Sequence, residues 1–138
     1  MAHDFTGFAP AKSPTHTSAK GKSCSSAARL NREHDIQNSI RNETADIAML
    51  FRANVGQGFT KDGRFFSTGL PKGFSDLFGF RLSDGRAVFI EVKTATGRVR
   101  PEQEKFIECM REYGALAGIA RSVEDARRII LQNNQEDY

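Results

Sequence analysis

The sequence lacks the cysteine-rich pattern of small secreted proteins and the long apolar runs of membrane-spanning ones. Its 138 residues include no Trp and two cysteines, too few for a disulfide framework or a four-cysteine zinc site. No apolar run approaches the ~18 residues that cross a membrane. The first ten residues lack the basic and apolar regions of a secretory signal. We therefore expect a soluble, intracellular protein with no membrane partner.

A nucleotide-binding loop is also missing. The triplet Gly21-Lys22-Ser23 has His16 where the first glycine of a phosphate-binding loop belongs, and no strand precedes it. We expect no small-molecule organic cofactor.

Positive charge is concentrated in two stretches of the chain. Residues 1–28 are rich in Ser, Thr, Ala, Lys and Pro without apolar periodicity, which predicts a disordered basic tail. We expect residues 29–138 to form one domain. Within it, residues 52–100 carry nine basic and four acidic side chains, a surface suited to a polyanion.

Hydrophobic spacing and turn residues predict a mixed α/β chain. Ile36, Ile40, Ile47 and Leu50 recur at helical intervals, so we predict a first helix from Leu30 to about Ala53, capped by Asn31. Asp-Gly pairs then predict two hairpins. The expected elements after the first helix are strands over 55–67, strands over 76–82 and 86–93, a helix from Pro101 to Gly114, a strand over 116–121 and a helix capped by Ser122.

The second hairpin places three chemically useful side chains on one face. If Asp84-Gly85 is a two-residue turn, Asp76 lies opposite Lys93 and diagonal to Glu91. Two carboxylates at that separation can share one divalent cation, with the lysine beside it. Such a site suits metal-assisted phosphodiester hydrolysis, although a surface salt bridge would use the same residue types.

The motif Gly73-Phe74-Ser75-Asp76, followed by Phe89-Ile90-Glu91-Val92-Lys93, resembles the PD-(D/E)XK nuclease superfamily. The spacing and length are similar to its virus-type replication-repair nuclease (VRR-NUC) domain, stand-alone copies of which occur in bacteriophages. The resemblance covers about residues 32–130. It implies a restriction-endonuclease-like core, a mixed central β-sheet flanked by helices. This agrees with the order α-β-β-β-α-β-α that the hydrophobic spacing and turn residues predict.

The same resemblance implies a Mg²⁺- or Mn²⁺-dependent endonuclease. Its small stand-alone members are associated with homodimers and four-way (Holliday) DNA junctions. If a phage encodes the chain, the host cytoplasm is its expected location. A nuclease for flaps, ends or nicks, and a non-catalytic DNA-binding module of the same fold, remain the alternatives.

Carried over residue by residue, the resemblance makes Asp76 and Glu91 metal-binding carboxylates and Lys93 the catalytic lysine. Ser75 stands where the name-giving motif has proline, a departure that we expect to leave activity intact. Gln103 matches a family glutamine, and its inward position predicts either contact with the site or a cap on a buried backbone group. Glu33 resembles an early-helix glutamate of the family, so the resemblance implies a metal ligand there. Helical geometry instead favours Glu43, which lies among the apolar positions of the helix, and Glu43 stays the alternative.

Several side chains around the hairpins are candidates for DNA contact. Six phenylalanines lie between positions 65 and 89; we expect most of them in the core and consider Phe74 the best candidate for base stacking. The predicted phosphate-contacting residues are Lys61, Arg64, Lys72, Arg98 and Arg100.

Overall fold

Three α-helices and six β-strands make up residues 32–133, the part of the chain that the structure, a computed structural model, describes. In chain order they are α1 (Glu33–Glu43), β1 (Ala48–Arg52), β2 (Gln57–Phe59), β3 (Phe65–Ser67), β4 (Leu77–Arg81), β5 (Ala87–Val92), α2 (Pro101–Glu112), β6 (Leu116–Ala120) and α3 (Val123–Ile130). None of these three helices is long and apolar enough to cross a membrane.

Four of the strands form one sheet in the order β1-β4-β5-β6, while β2 and β3 pair only with each other. The β5–β6 pair is parallel and the other two pairs are antiparallel, so the sheet is mixed. The predicted strands over 55–67 form the separate β2–β3 hairpin, and β1, within the predicted first helix, is the first strand of the sheet. With that hairpin set aside, the elements follow the order α-β-β-β-α-β-α. The predicted fold class is confirmed.

The two faces of the sheet have different contents, because side chains alternate along each strand. In β5, Val88, Ile90 and Val92 are fully buried and join the apolar core with residues of α1 and α3. Burying each such side chain is worth roughly 1.5–3 kcal/mol. The intervening positions of β5 point to the opposite face, where Phe89 contacts Phe106 of α2. One face therefore carries the core, and the other is available for chemistry.

The first predicted helix is too long. Helix α1 ends at Glu43, and the Thr44 hydroxyl donates a hydrogen bond to the Ile40 carbonyl, 2.7 Å away. The chain then enters β1, where Ala48 and Leu50 are buried and Met49 between them is not. Residues 48–52, predicted as the end of the first helix, are thus a strand. The predicted cap Asn31 and the predicted tail lie outside the described residues.

The register of the second hairpin also differs from the prediction. Phe78 pairs with Phe89 and Leu77 with Ile90, which sets Asp76 opposite Glu91 instead of Lys93. The turn is wider than two residues, because Arg81 N–H donates to the Arg86 carbonyl and the Arg81 guanidinium grips Asp84. A shift of two residues keeps every side chain on its predicted face.

The C-terminal half follows the prediction closely. Pro101 starts α2, β6 occupies the predicted strand, and the Ser122 hydroxyl accepts a hydrogen bond from Asp125 N–H at the start of α3. Tyr113, which caps the C-terminal end of α2, is 83% exposed.

Candidate active site

Asp76 is fixed between two strands at one end of the sheet. Its backbone carbonyl accepts a hydrogen bond from Ala53 N–H at 2.8 Å. Its Oδ2 accepts another from Val92 N–H, also at 2.8 Å, so the side chain replaces a backbone partner for β5. No hydrogen bond within residues 32–133 engages Oδ1. Asp76 thus presents one free carboxylate oxygen from a rigid position.

Glu91, the penultimate residue of β5, lies opposite Asp76 and is completely buried. Its Oε1 accepts hydrogen bonds from the Gln103 side-chain amide and from Lys93, whose Nζ is 2.9 Å away. Its Oε2 is buried without a hydrogen-bond partner among the described residues. Within the described residues, each carboxylate therefore has one oxygen that accepts a hydrogen bond and one that does not. For the buried Oε2 of Glu91 this is unusual, because buried polar atoms are usually paired.

Burial raises the pKa of Glu91 to about 7, and the negative charge of Asp76 adds to this rise while Lys93 opposes it. The effect of removing the carboxylate from water on its pKa is therefore larger than the opposing effect of the lysine. Positive charge is still needed to ionise this group fully at neutral pH.

Lys93 is itself nearly buried and lies between two carboxylates. Besides the contact with Glu91, its Nζ is 3.8 Å from Oε1 of Glu33, at the start of α1. Glu43 is exposed at the opposite end of that helix, where its backbone carbonyl accepts a hydrogen bond from Arg127. Of the two glutamates left open by the sequence, the structure brings Glu33 to the site.

Gln103 combines both roles that its sequence position predicts. Its side-chain nitrogen donates to Glu91, and its side-chain oxygen accepts a hydrogen bond from Arg100 N–H at 2.9 Å. The amide thus caps the start of α2 and ties that helix to the buried carboxylate. Gln103 and Asp76 also line a cavity of about 240 Å³ that opens beside the site.

The donor set fits a small, hard divalent cation. Carboxylate oxygens suit Mg²⁺ and Mn²⁺, and Mg²⁺ commonly uses one or two carboxylates while keeping water or substrate phosphate for its other positions. The unpaired Oε2 of Glu91, next to Asp76, is the position that such an ion would satisfy. Residues 32–133 contain no group of three or more His, Cys, Asp or Glu side chains arranged to hold a metal. Glu33 contacts Lys93, and its role as a third ligand stays a prediction.

The predicted phosphate-contacting residues lie on two parts of the surface. Lys72 and Arg100 line the cavity, and Lys72 makes an exposed ion pair with Glu102 at 3.5 Å. Arg98 is exposed in the loop between β5 and α2. Lys61 and Arg64 are exposed at the tip of the β2–β3 hairpin. Apart from Lys72, these five residues make no ion pair within the described part of the chain.

The expectation that most of the six phenylalanines between positions 65 and 89 lie in the core is wrong, while base stacking by Phe74 stays a prediction. Phe74 packs into a cluster with Phe78, Phe89 and Phe106, with ring centroids 4.9–5.8 Å apart, so its ring stabilises the loop before Asp76. Phe65 and Phe66, expected in the core, are 60% and 49% exposed.

One feature of the site carried no sequence signal. Arg121 donates hydrogen bonds to the carbonyls of Thr94 and Gly97 and so holds the loop that follows Lys93. Its separation of 24 or more residues from those partners is invisible to local patterns. Ser75, the departure from the family motif, is fully buried, and its hydroxyl has no partner among the described residues.

A mixed sheet that presents two carboxylates and a lysine from adjacent strands defines a nuclease-like core. The family model described as the VRR-NUC domain matches residues 31–124. The chain therefore belongs to the VRR-NUC family, a family of nucleases, and DNA is the substrate class that this membership implies. A comparison with curated proteins found no match.

Proposed function

We propose that this protein is a Mg²⁺- or Mn²⁺-dependent endodeoxyribonuclease that hydrolyses phosphodiester bonds in branched DNA. We further propose that it acts on four-way junctions as a homodimer, during viral replication or repair. The observation that carries the metal-dependent chemistry is the pair of facing carboxylates, Asp76 and Glu91. Each has one oxygen that accepts a hydrogen bond and one without a hydrogen-bond partner in the described part of the chain.

The chain's own residues divide the work among them. Asp76 and Glu91 would hold the divalent cation, which when bound lowers the pKa of water and polarises the phosphoryl group. Gln103 orients Glu91 by occupying Oε1, which leaves Oε2 for the cation. Val92 N–H does the same for Asp76 through Oδ2.

Lys93 supplies a fixed hydrogen-bond donor. Its Nζ is held between Glu91 and Glu33, and an ammonium group has three donors. A donor positioned in advance stabilises the negative charge that develops on phosphate oxygens during attack, at little reorganisation cost. Glu33 is in this proposal a positioning residue for Lys93 as well as a candidate ligand.

The basic residues explain how a DNA backbone would reach this site. Lys72 and Arg100 on the cavity wall and Arg98 in the adjacent loop place positive charge around Asp76. Phosphate contacts of this kind fix the position of the backbone without reading sequence.

Cleavage assays on substitution variants test the assignment. Asp76→Ala and Glu91→Ala should abolish cutting in Mg²⁺ or Mn²⁺ while DNA affinity stays within about tenfold, equivalent to ~1.4 kcal/mol. Lys93→Ala should remove most turnover but retain the thermal stabilisation by Mn²⁺ that the two carboxylate variants lose. A panel of junction, flap, nicked and plain duplex DNA identifies the preferred substrate.

Glu43→Ala is the matched control for Glu33→Ala, because both residues lie on α1 and only Glu33 is near Lys93. We expect the Glu43 variant to cut like the parent and the Glu33 variant to cut more slowly. Undiminished cleavage by Asp76→Ala would refute the metal site. Preference for flaps or nicks over junctions would favour the alternative nuclease.

A further inference from the structure

The β2–β3 hairpin is an arm with an unusual surface. Within residues 32–133 its strands pair only with each other. Phe59 and Phe65 form a cross-strand pair, and their side chains are 73% and 60% exposed. Their ring centroids are 5.6 Å apart in an edge-to-face arrangement. Two-stranded hairpins are marginally stable alone, and exposed apolar patches mark interaction sites. Something other than the described residues is expected to contact these two rings.

The base of the hairpin is anchored at the candidate active site. Thr68 N–H donates to the Gly56 carbonyl at 3.0 Å, and the Thr68 hydroxyl accepts from Gly56 N–H at 3.1 Å, so the two strands are fastened together where they leave the domain. Val55, just before this clamp, lines the same cavity as Asp76. Lys72, a few residues after it, lines that cavity as well. A ligand in the cavity would therefore continue along the hairpin.

The charge of the hairpin favours a polyanion as that ligand. Its tip carries Lys61 and Arg64 against one acidic residue, Asp62, and all three are exposed. The basic pair lies beyond the aromatic pair along the same arm. Positive side chains next to exposed aromatic rings are the combination that binds single-stranded or unpaired nucleotides, by backbone contact and base stacking.

We propose that the β2–β3 hairpin recognises the branch point of the DNA: Phe59 and Phe65 stack on a base left exposed where strands diverge, and Lys61 and Arg64 contact the neighbouring phosphates. The inference rests on the proposed function as a DNA nuclease and adds the element that selects the structure of the substrate. Duplex DNA keeps its bases stacked on one another and offers these rings no partner.

The length of the hairpin gives an estimate of the distance between the branch point and the bond that is cut. Strands rise ~3.3 Å per residue, so Phe59 lies roughly 10 Å and Lys61 roughly 16 Å from Gly56. At about 3.4 Å per nucleotide, these distances correspond to roughly three to five nucleotides. We expect the cut within about five nucleotides of the branch.

The test compares branched and plain duplex DNA of equal length, labelled with 2-aminopurine at the branch or at the matching duplex position. Binding to the full chain is measured in EDTA, and cleavage is measured in Mn²⁺. The parent should prefer the branched DNA and change its 2-aminopurine fluorescence. Phe59→Ala/Phe65→Ala should lose about tenfold or more of branched-DNA affinity, lose the fluorescence change and keep duplex affinity.

Matched variants separate stacking from folding and from charge. Phe59→Tyr/Phe65→Tyr should keep the preference, because the rings remain. Phe66→Ala removes an exposed ring that lies over Gly58 on the other face of the hairpin, and it should behave like the parent. Lys61→Ala/Arg64→Ala should weaken both DNAs alike and flatten the salt dependence by about 0.9 per lost phosphate contact.

Three results would overturn the inference. They are an unchanged preference in the double alanine variant, a parent that binds branched and duplex DNA equally, and a double variant that turns a dimer into a monomer in sedimentation velocity. The last result would identify the hairpin as a surface for a second copy. A parent that binds branched DNA and cuts no DNA in Mn²⁺ or Mg²⁺ would instead refute the proposed function.

Discussion

Replacing Glu91 with Gln should stabilise the metal-free protein while destroying its activity. The burial that raises the pKa of Glu91 from 4.5 to about 7 means that the folded state binds its proton more tightly than the unfolded state does. Between these pH values the folded chain carries more protons, so the free energy of unfolding falls as the pH rises. Above pH 7 the ionised carboxylate costs the fold about 3 kcal/mol at ~1.36 kcal/mol per pKa unit.

Glutamine imitates the protonated form, because its side-chain oxygen can still accept from Gln103 and Lys93. In EDTA, the stability advantage of Glu91→Gln over the parent should therefore grow by about 2–3 kcal/mol between pH 5 and pH 8. In a domain of this size the change corresponds to a melting temperature difference on the order of 10 °C. Taking the difference between the two proteins removes the contributions that other titrating groups make to the pH dependence of the free energy of unfolding.

Urea denaturation followed by circular dichroism at pH 5, 6, 7 and 8 measures the effect. Adding Mn²⁺ at pH 8 should stabilise the parent by about 2.7 kcal/mol at a hundredfold excess over its Kd and leave Glu91→Gln unchanged. Stability curves that stay parallel from pH 5 to pH 8 would show that burial does not penalise this carboxylate, and the argument for an ion at Oε2 would lose its energetic basis.

Two further predictions concern the loop before Asp76 and the assembly. Gly73 has φ +88°, and a Cβ there would lie 2.5 Å from the Glu102 carbonyl oxygen. Gly73→Ala should therefore displace the loop and lower the cleavage rate tenfold or more. The control Gly85→Ala, at φ +71° with nothing within 4 Å of the added Cβ, should lower the free energy of unfolding by about 1 kcal/mol and leave the cleavage rate unchanged. One protomer of 15.3 kDa carries one candidate site, so a protein that cuts both strands of a junction should sediment as a dimer. Mixed dimers with one Glu91→Ala subunit should nick a single strand. A monomer at micromolar concentration that cuts both strands would contradict this prediction.

The grouping of Asp76, Glu91 and Lys93 on one face could be predicted because it depends on the alternation of side chains along the strands and not on the exact pairing. The hairpin register was wrong by two residues, yet alternation along the strands kept all three side chains on one face. The error came from the turn, where the Arg81–Asp84 ion pair supports a wider connection than Asp-Gly alone suggests.

Local patterns could not separate the end of α1 from the start of β1. Ile47 and Leu50 fit helical spacing, but Leu50 also fits an alternating strand whose other buried residue is Ala48. No glycine or proline separates the two elements, and tertiary pairing with β4 decides the outcome. Short apolar segments of this kind are ambiguous without knowledge of their neighbours.

Sequence patterns also could not predict that the phenylalanines of the β2–β3 hairpin are exposed. Phe65 and Phe78 both lie in apolar strand segments, but only Phe78 belongs to a sheet that α2 and Phe74 help to cover. Hydrophobicity indicates that a side chain prefers burial and leaves open whether its own domain supplies the cover.

The alternation of β5 has a consequence for how this protein can change over generations. Val88, Ile90 and Val92 maintain the fold, while Glu91 and Lys93, on the other face, contribute chemistry and charge. On the proposed function, a single substitution such as Glu91→Gln, which removes the buried charge, would abolish cleavage and stabilise the metal-free protein together. A lineage could then pass in one step from an enzyme to an inactive DNA-binding protein whose folding no longer depends on a bound ion, and only selection for cutting would oppose that change.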